Sequence, residues 1–113
     1  MTVPNAGRAI IADGKLSKYL LNPDNEAGGP KCRFLNRFGF DSEYPHFLRD
    51  ALHKHIRDNS AEYKGDTEYG AKWAVRGRIQ SPDGRNPYVT SIWQIDHGKI
   101  APKLITLIDL GGE

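Results

Sequence analysis

The sequence predicts an α+β domain, with N-terminal helices packed on one face of a C-terminal antiparallel sheet of three to four strands. Three features predict it. Apolar residues recur at helical spacing up to about residue 58. From residue 71 they alternate or run on continuously. Short turn-forming segments separate the strand-like runs, which favours hairpins over crossover helices. A chain of 113 residues is long enough for one hydrophobic core and is expected to form a single domain, 1–113.

Residues 1–13 form a lead-in, where "RAII" suits a short extended segment. Asp13 is placed to cap a first helix, "GKLSKYLL", whose Leu16, Tyr19 and Leu20 share a face. Asn22-Pro23 ends it, because proline drives the preceding residue out of the helical region. Pro30 suits the first position of a second helix, "PKCRFLNRF". Lys31, Phe34, Leu35 and Phe38 share one of its faces, and Gly39 is placed for the left-handed residue beyond its end. A third helix runs from about Tyr44 to Asp58. Leu48, Ala51, Leu52, His55 and Ile56 make its apolar stripe, opposite Arg49, Asp50, Lys54 and Arg57.

Residues 60–70 are polar and contain Gly65 and Gly70. In "AKWAVRGRIQ" the alternation puts Trp73, Val75, Gly77 and Ile79 on one face and Lys72, Ala74, Arg76 and Arg78 on the other. "SPDGRNP" is a turn leading to "YVTSIWQI", a β-branched and aromatic strand. "KLITLIDL" is apolar on both faces, as a central or doubly covered strand would be. Helices are expected over one sheet face through Phe34, Phe38, Leu48, Leu52 and Ile56, leaving the face with Lys72, Arg76 and Arg78 partly open.

Composition excludes several classes. Hydrophobic residues make up 38% and charged residues 27%, the balance of an ordinary globular chain. No apolar run approaches the ~20 residues that span a bilayer, and the N-terminus has no secretory pattern. The single cysteine, Cys32, forms no internal disulfide, so a cytoplasmic location is expected. A helix N-terminus and Lys31 beside Cys32 are expected to lower its pKa. No cofactor motif is present, and His53 and His55 are too close along a helix to chelate one metal ion. A net charge of +2 permits nucleic-acid binding only through a local basic face.

The strand face supplies such a surface. Lys72, Arg76 and Arg78 project to one side and suit successive phosphates. Tyr88 and Trp93 sit on opposite faces of the neighbouring strand, so one of them can stack a base there. Thr90 and Thr106 can share a face; joined by Lys31 they would form a polar pocket able to stabilise negative charge.

The stretch "KLSKYLLNPDNEAGGPKCRFLNRFGF" resembles a family of small bacterial domains of uncharacterised function. Their pattern runs "KL..YLL", then "NP.H..G..KA..F...LGF". The family's second half is similar to "YGAKWAVRGRIQSPDGRNPYVTSIWQI" and "APKLITLIDL". Matching positions are Gly28, Lys31, Phe34, Gly39, Phe40, Gly70, Ser91, Trp93, Pro102 and Thr106. Asn25 stands where the family often has a histidine. The family's members occur alone and as terminal modules of phage head-associated and toxin-like chains. That setting, and helices before an antiparallel sheet, resemble metal-independent ribonuclease toxins of the barnase, colicin and RelE kind.

Three functions stay open on the sequence. RNA binding without cleavage, through Lys72, Arg76 and Arg78, is one. Another is a metal-independent endoribonuclease. Its catalytic candidates are Lys31, His55, Arg76 and Thr106, with His46 or Glu68 as further acid–base options. Lys72, Arg78, Thr90 and Trp93 are its substrate-binding candidates. The third is a non-catalytic module that binds a protein or a ligand. RNA and an inhibitor or other protein are the partners these readings imply.

Overall fold

The structure, a computed structural model, describes residues 1–108 and Leu110. A 3-10 turn, Ala6–Arg8, leads into α1, which begins as an α-helical turn at Asp13–Lys15 and continues as a π-helical turn at Leu16–Leu20. Then follow α2 (Gly29–Arg37), α3 (Pro45–Asp58) and strands β1 (Ala61–Asp66), β2 (Gly70–Arg78), β3 (Tyr88–Asp96) and β4 (Lys103–Ile108). The sheet is an antiparallel meander in the order β1-β2-β3-β4. The α+β expectation therefore holds.

The proline and glycine punctuation acts as read. Pro30 and Pro45 lie in the first turns of α2 and α3. Gly39 takes φ +96° just after α2, a conformation side chains with a Cβ rarely adopt. Asp13 does not cap α1: Ala12 holds that position, and the Asp13 carboxylate instead pairs with Arg49 of α3.

Leu48, Leu52 and Ile56 of α3 are fully buried against Val75, Val89, Trp93 and Leu107 of the sheet. Leu16, Leu20 and Leu35 extend the core beside β4. One knot of polar groups lies within it. His55 of α3 is 1% exposed, and its Nε2 donates to the Gly77 carbonyl (3.1 Å). A carbonyl only accepts, so Nδ1 is the acceptor and the Ser91 hydroxyl donates to it (2.9 Å). The Trp93 indole N–H donates to the same Ser91 oxygen (2.7 Å).

One strand is added and one strand expectation is corrected. The polar residues 61–66 form β1, the fourth strand, an exposed edge strand held by its ladder to β2, so it carries no apolar alternation. "KLITLI" is not central but forms the opposite edge, β4. Its outer rim is covered nonetheless. Ile10 N donates to Pro102 O (2.8 Å), Leu104 N donates to Ile10 O (2.9 Å), and Lys31 Nζ donates to Leu107 O. At the other edge, Ala61 N donates to Met1 O (2.7 Å). The first ten residues thus reach from one rim of the sheet to the other, with Val3 buried between. Among the described residues no helix is long and apolar enough to cross a membrane.

Candidate nucleic-acid interface

The face of the sheet turned away from α3 is built by strand register. Arg76 is paired with Thr90 and Thr90 with Ile108, forming one row across three strands. Ala74, Ile92 and Thr106 form the next row, and Lys72 and Gln94 the one after. Paired residues share a face, so these side chains all lie on the outer side, but Thr90 and Ile92 are each only 5% exposed, so Thr90, expected to bind substrate, is not open to it.

Thr106 depends on a β-bulge for its place. Ile92 pairs with Thr106, but Trp93 pairs with Leu104, so Ile105 is the extra residue. Simple alternation would put Thr106 on the same side as Leu104, which is 2% exposed in the core. The bulge turns Thr106 outward while keeping both Leu104 and Leu107 inward.

Three contacts organise the outer face. Arg76 Nη1 donates to Thr90 Oγ1 (3.3 Å). The guanidiniums of Arg76 and Arg78 lie over the Tyr88 ring, 5.7 and 4.8 Å from its centroid. At the β4 edge, the Tyr19 and Thr106 hydroxyls are 2.7 Å apart, and Thr106 Oγ1 and Lys31 Nζ both donate to Leu107 O. Lys31, Thr106 and Tyr19 therefore meet at one edge of the face that carries Arg76, Arg78, Lys72 and Thr90.

Tyr19, which the sequence shows only as part of the first helix's shared face, is not among the expected site residues. Its site depends on the π-helical turn, in which Leu21 N reaches back to Leu16 O (2.7 Å). Gly28 fixes the approach of the next loop: a Cβ there would lie 2.1 Å from Tyr19 O. The glycine and lysine of the "G..K" spacing thus act together, one allowing close packing on Tyr19 and the other reaching the same strand edge.

Two expected site residues lie elsewhere. His55 faces the core on the opposite side of the sheet, and burial pushes its pKa down, so it does not meet a substrate on the outer face. Trp93 is fully buried on that same inner side and cannot stack a base; Tyr88 is on the outer face, with its ring under the guanidiniums of Arg76 and Arg78. Cys32 is also buried, and burial pushes its thiol pKa up rather than down. His46 is exposed in an aromatic group with Tyr44 and Phe47 at the start of α3, remote in sequence from the sheet residues. Glu68 lies with His97 along a cleft at the far end of the outer face.

Asn25 has a structural task. Its Nδ2 donates to Lys18 O (3.0 Å), and its Oδ1 accepts from the backbone N–H of Ala27 (3.0 Å) and Gly28 (2.7 Å). It ties α1 to the start of α2. Among the described residues no group of three or more His, Cys, Asp or Glu side chains is arranged to hold a metal ion.

A family model described as a domain of unknown function (DUF6883) matches residues 2–110. The chain belongs to that family. No curated protein matches this DUF6883 domain. Among solved structures it is similar to a chain from a contact-dependent growth inhibition toxin–immunity protein complex of Klebsiella pneumoniae 342. The TM-score is 0.67 at 15% identity, covering 88% of this chain and 97% of that one. At that identity the likeness is one of fold.

Proposed function

We propose that this DUF6883 domain is a toxin-like, metal-independent endoribonuclease whose outer sheet face binds RNA. The observation that carries the reading is the strip of cations and hydroxyls on that face. Arg76 and Arg78 flank Tyr88, and Tyr19, Thr106 and Lys31 adjoin them at the β4 edge. Guanidiniums bind phosphate oxygens in pairs of hydrogen bonds, and the Tyr88 ring holds Arg76 and Arg78 side by side over one patch of the face. The likeness to a chain from a toxin–immunity complex supports the toxin-related part of the reading and makes an inhibitor protein a natural partner.

Metal-free cleavage proceeds by attack of the ribose 2′-oxygen on the adjacent phosphorus. The P–O5′ bond breaks, leaving a 2′,3′-cyclic phosphate and a 5′-hydroxyl. One group must take the 2′-hydroxyl proton and another must give a proton to O5′. Arg76 and Lys31 place positive charge where the phosphorane develops. Beside Thr106, the Lys31 ammonium gives the proton to O5′; with His55 buried away from this face the 2′-hydroxyl proton passes to solvent water, and the Lys31 amine is reprotonated from solvent. An RNA substrate and an unpaired Cys32 fit a cytoplasmic site of action.

The test is incubation of the purified domain with end-labelled RNA in excess EDTA. Cyclic-phosphate products that disappear in Arg76→Gln/Arg78→Gln are expected; intact RNA would overturn the reading. A non-catalytic binding module is the second reading, and Asn25 favours it. It stands where similar sequences often carry a histidine, and its side chain is spent on the turn. RNA or protein binding without any cleavage would select that alternative.

A further inference from the structure

We propose that bound RNA leaves the sheet face over the β4 edge and continues as a single strand into the groove between α2 and the end of β4. The inference rests on the RNA reading above and extends its footprint. The groove has a volume of about 530 Å³, and its walls include Lys31, Arg33, Phe34, Arg37, Ile108 and Leu110. No carboxylate is among the described residues that line it. None of the ion pairs among the described residues uses Arg33 or Arg37, and both are exposed.

Register makes the groove continuous with the sheet face. Ile108 closes the row Arg76–Thr90–Ile108 and also lines the groove. Two strand spacings separate Arg76 from Ile108, about 10 Å. Lys31 stands at the junction, on the β4 edge and in the groove wall. A strand turning over a sheet edge within that distance must be flexible, which a single strand is and a duplex is not. Cations alternate with the apolar ring of Phe34, the pattern that binds phosphates and bases together and that a small anion does not need.

The test measures binding of a fluorescent 2′-O-methyl oligouridylate of about 12 nucleotides by anisotropy, across a KCl series with EDTA. The 2′-O-methyl groups block cleavage, so only binding is read. Each phosphate neutralised adds about 0.7 to the slope of log affinity against log salt on a single strand. Arg33→Gln/Arg37→Gln is expected to lower the slope by about 1.4, with an unchanged circular dichroism spectrum. Arg76→Gln/Arg78→Gln should lower it similarly. A fall in the second variant with none in the first would overturn the groove path and leave the sheet-face reading standing. Poly-glutamate that displaces the RNA and shows the same dependence on Arg33 and Arg37 would overturn it in favour of an acidic protein segment. A wild-type domain with no salt-dependent binding would sink both readings.

Discussion

Replacing Ser91 with alanine removes the one hydroxyl that His55 and Trp93 both use. The change takes away a single oxygen and leaves almost no cavity, so its cost is almost entirely polar. His55 Nδ1 loses its donor and Trp93 Nε1 loses its acceptor, in a core where His55 is 1% exposed and Trp93 0%. Each buried group left unpaired costs about 1–3 kcal/mol. Two such groups give roughly 2–5 kcal/mol after some relaxation, a large part of a typical 5–15 kcal/mol total. Urea unfolding at pH 7.5, followed by tryptophan fluorescence, should show a lower midpoint with an unchanged slope. A loss below about 0.5 kcal/mol would refute the reasoning, since it would mean the two groups had not been relying on Ser91. The same knot sets a pH dependence. Burial holds the His55 pKa below its usual value of 6.5, so the unfolded chain binds more protons in that range. Its contribution is fully present above about pH 6.5 and is lost as pH falls through the folded pKa. His53, also lowered by burial and by Arg57, acts in the same direction. Asp58, Asp83 and Asp96, held down chiefly by hydrogen bonds from Lys54, the Arg85 backbone and Lys103, act only on acidification below about pH 4. Stability should therefore fall between pH 7.5 and 5, and His55→Leu should flatten that slope; an equally steep slope in the variant would count against the assignment.

Three further outcomes are expected. Thr106→Val keeps the shape of the strand but breaks the link to Tyr19, so RNA cleavage should drop at least about tenfold while the salt dependence of binding stays unchanged; undiminished cleavage would remove Thr106 from the site. Gly28→Ala forces a Cβ to within 2.1 Å of the Tyr19 carbonyl, and the backbone must move; a loss of about 1–3 kcal/mol is expected by chemical denaturation. Asn25→Ala releases the turn before α2 and should cost about 1 kcal/mol, whereas no change in the denaturation midpoint would show the turn to be self-supporting.

The parts of this fold that were legible in the sequence carry strong local signals. Pro30 and Gly39 bracket α2, and the alternation from Lys72 to Arg78 assigned both faces of β2. The stripe Leu48–Ala51–Leu52–His55–Ile56 already put His55 toward the core; its chemistry suggested a catalytic role that its position denies. Trp93 was likewise placed opposite Tyr88 by alternation, and only its burial shows that it cannot meet a base. What stayed hidden depends on neighbours distant in sequence. β1 is held by its ladder to β2, so its residues need no apolar pattern. The face that Thr106 presents is decided by one extra residue, Ile105. Tyr19 reaches Thr106 through a π-helical turn that local periodicity reads as ordinary helix. The signal for Tyr19 lay in the spacing around Gly28 and Lys31, once Gly28 is understood as a contact with the Tyr19 backbone.

The first ten residues also have a bearing on the order of events in folding. They join the β1 rim through Met1 and the β4 rim through Ile10, and both partners lie far along the chain. Contacts across such separations form late, after the local β2–β3 hairpin has something to offer them. The clasp is thus expected to close late, as one unit. Amide exchange at Ala61 and at Leu104, on opposite sides of the sheet, would then run at linked rates, both set by the departure of one short segment.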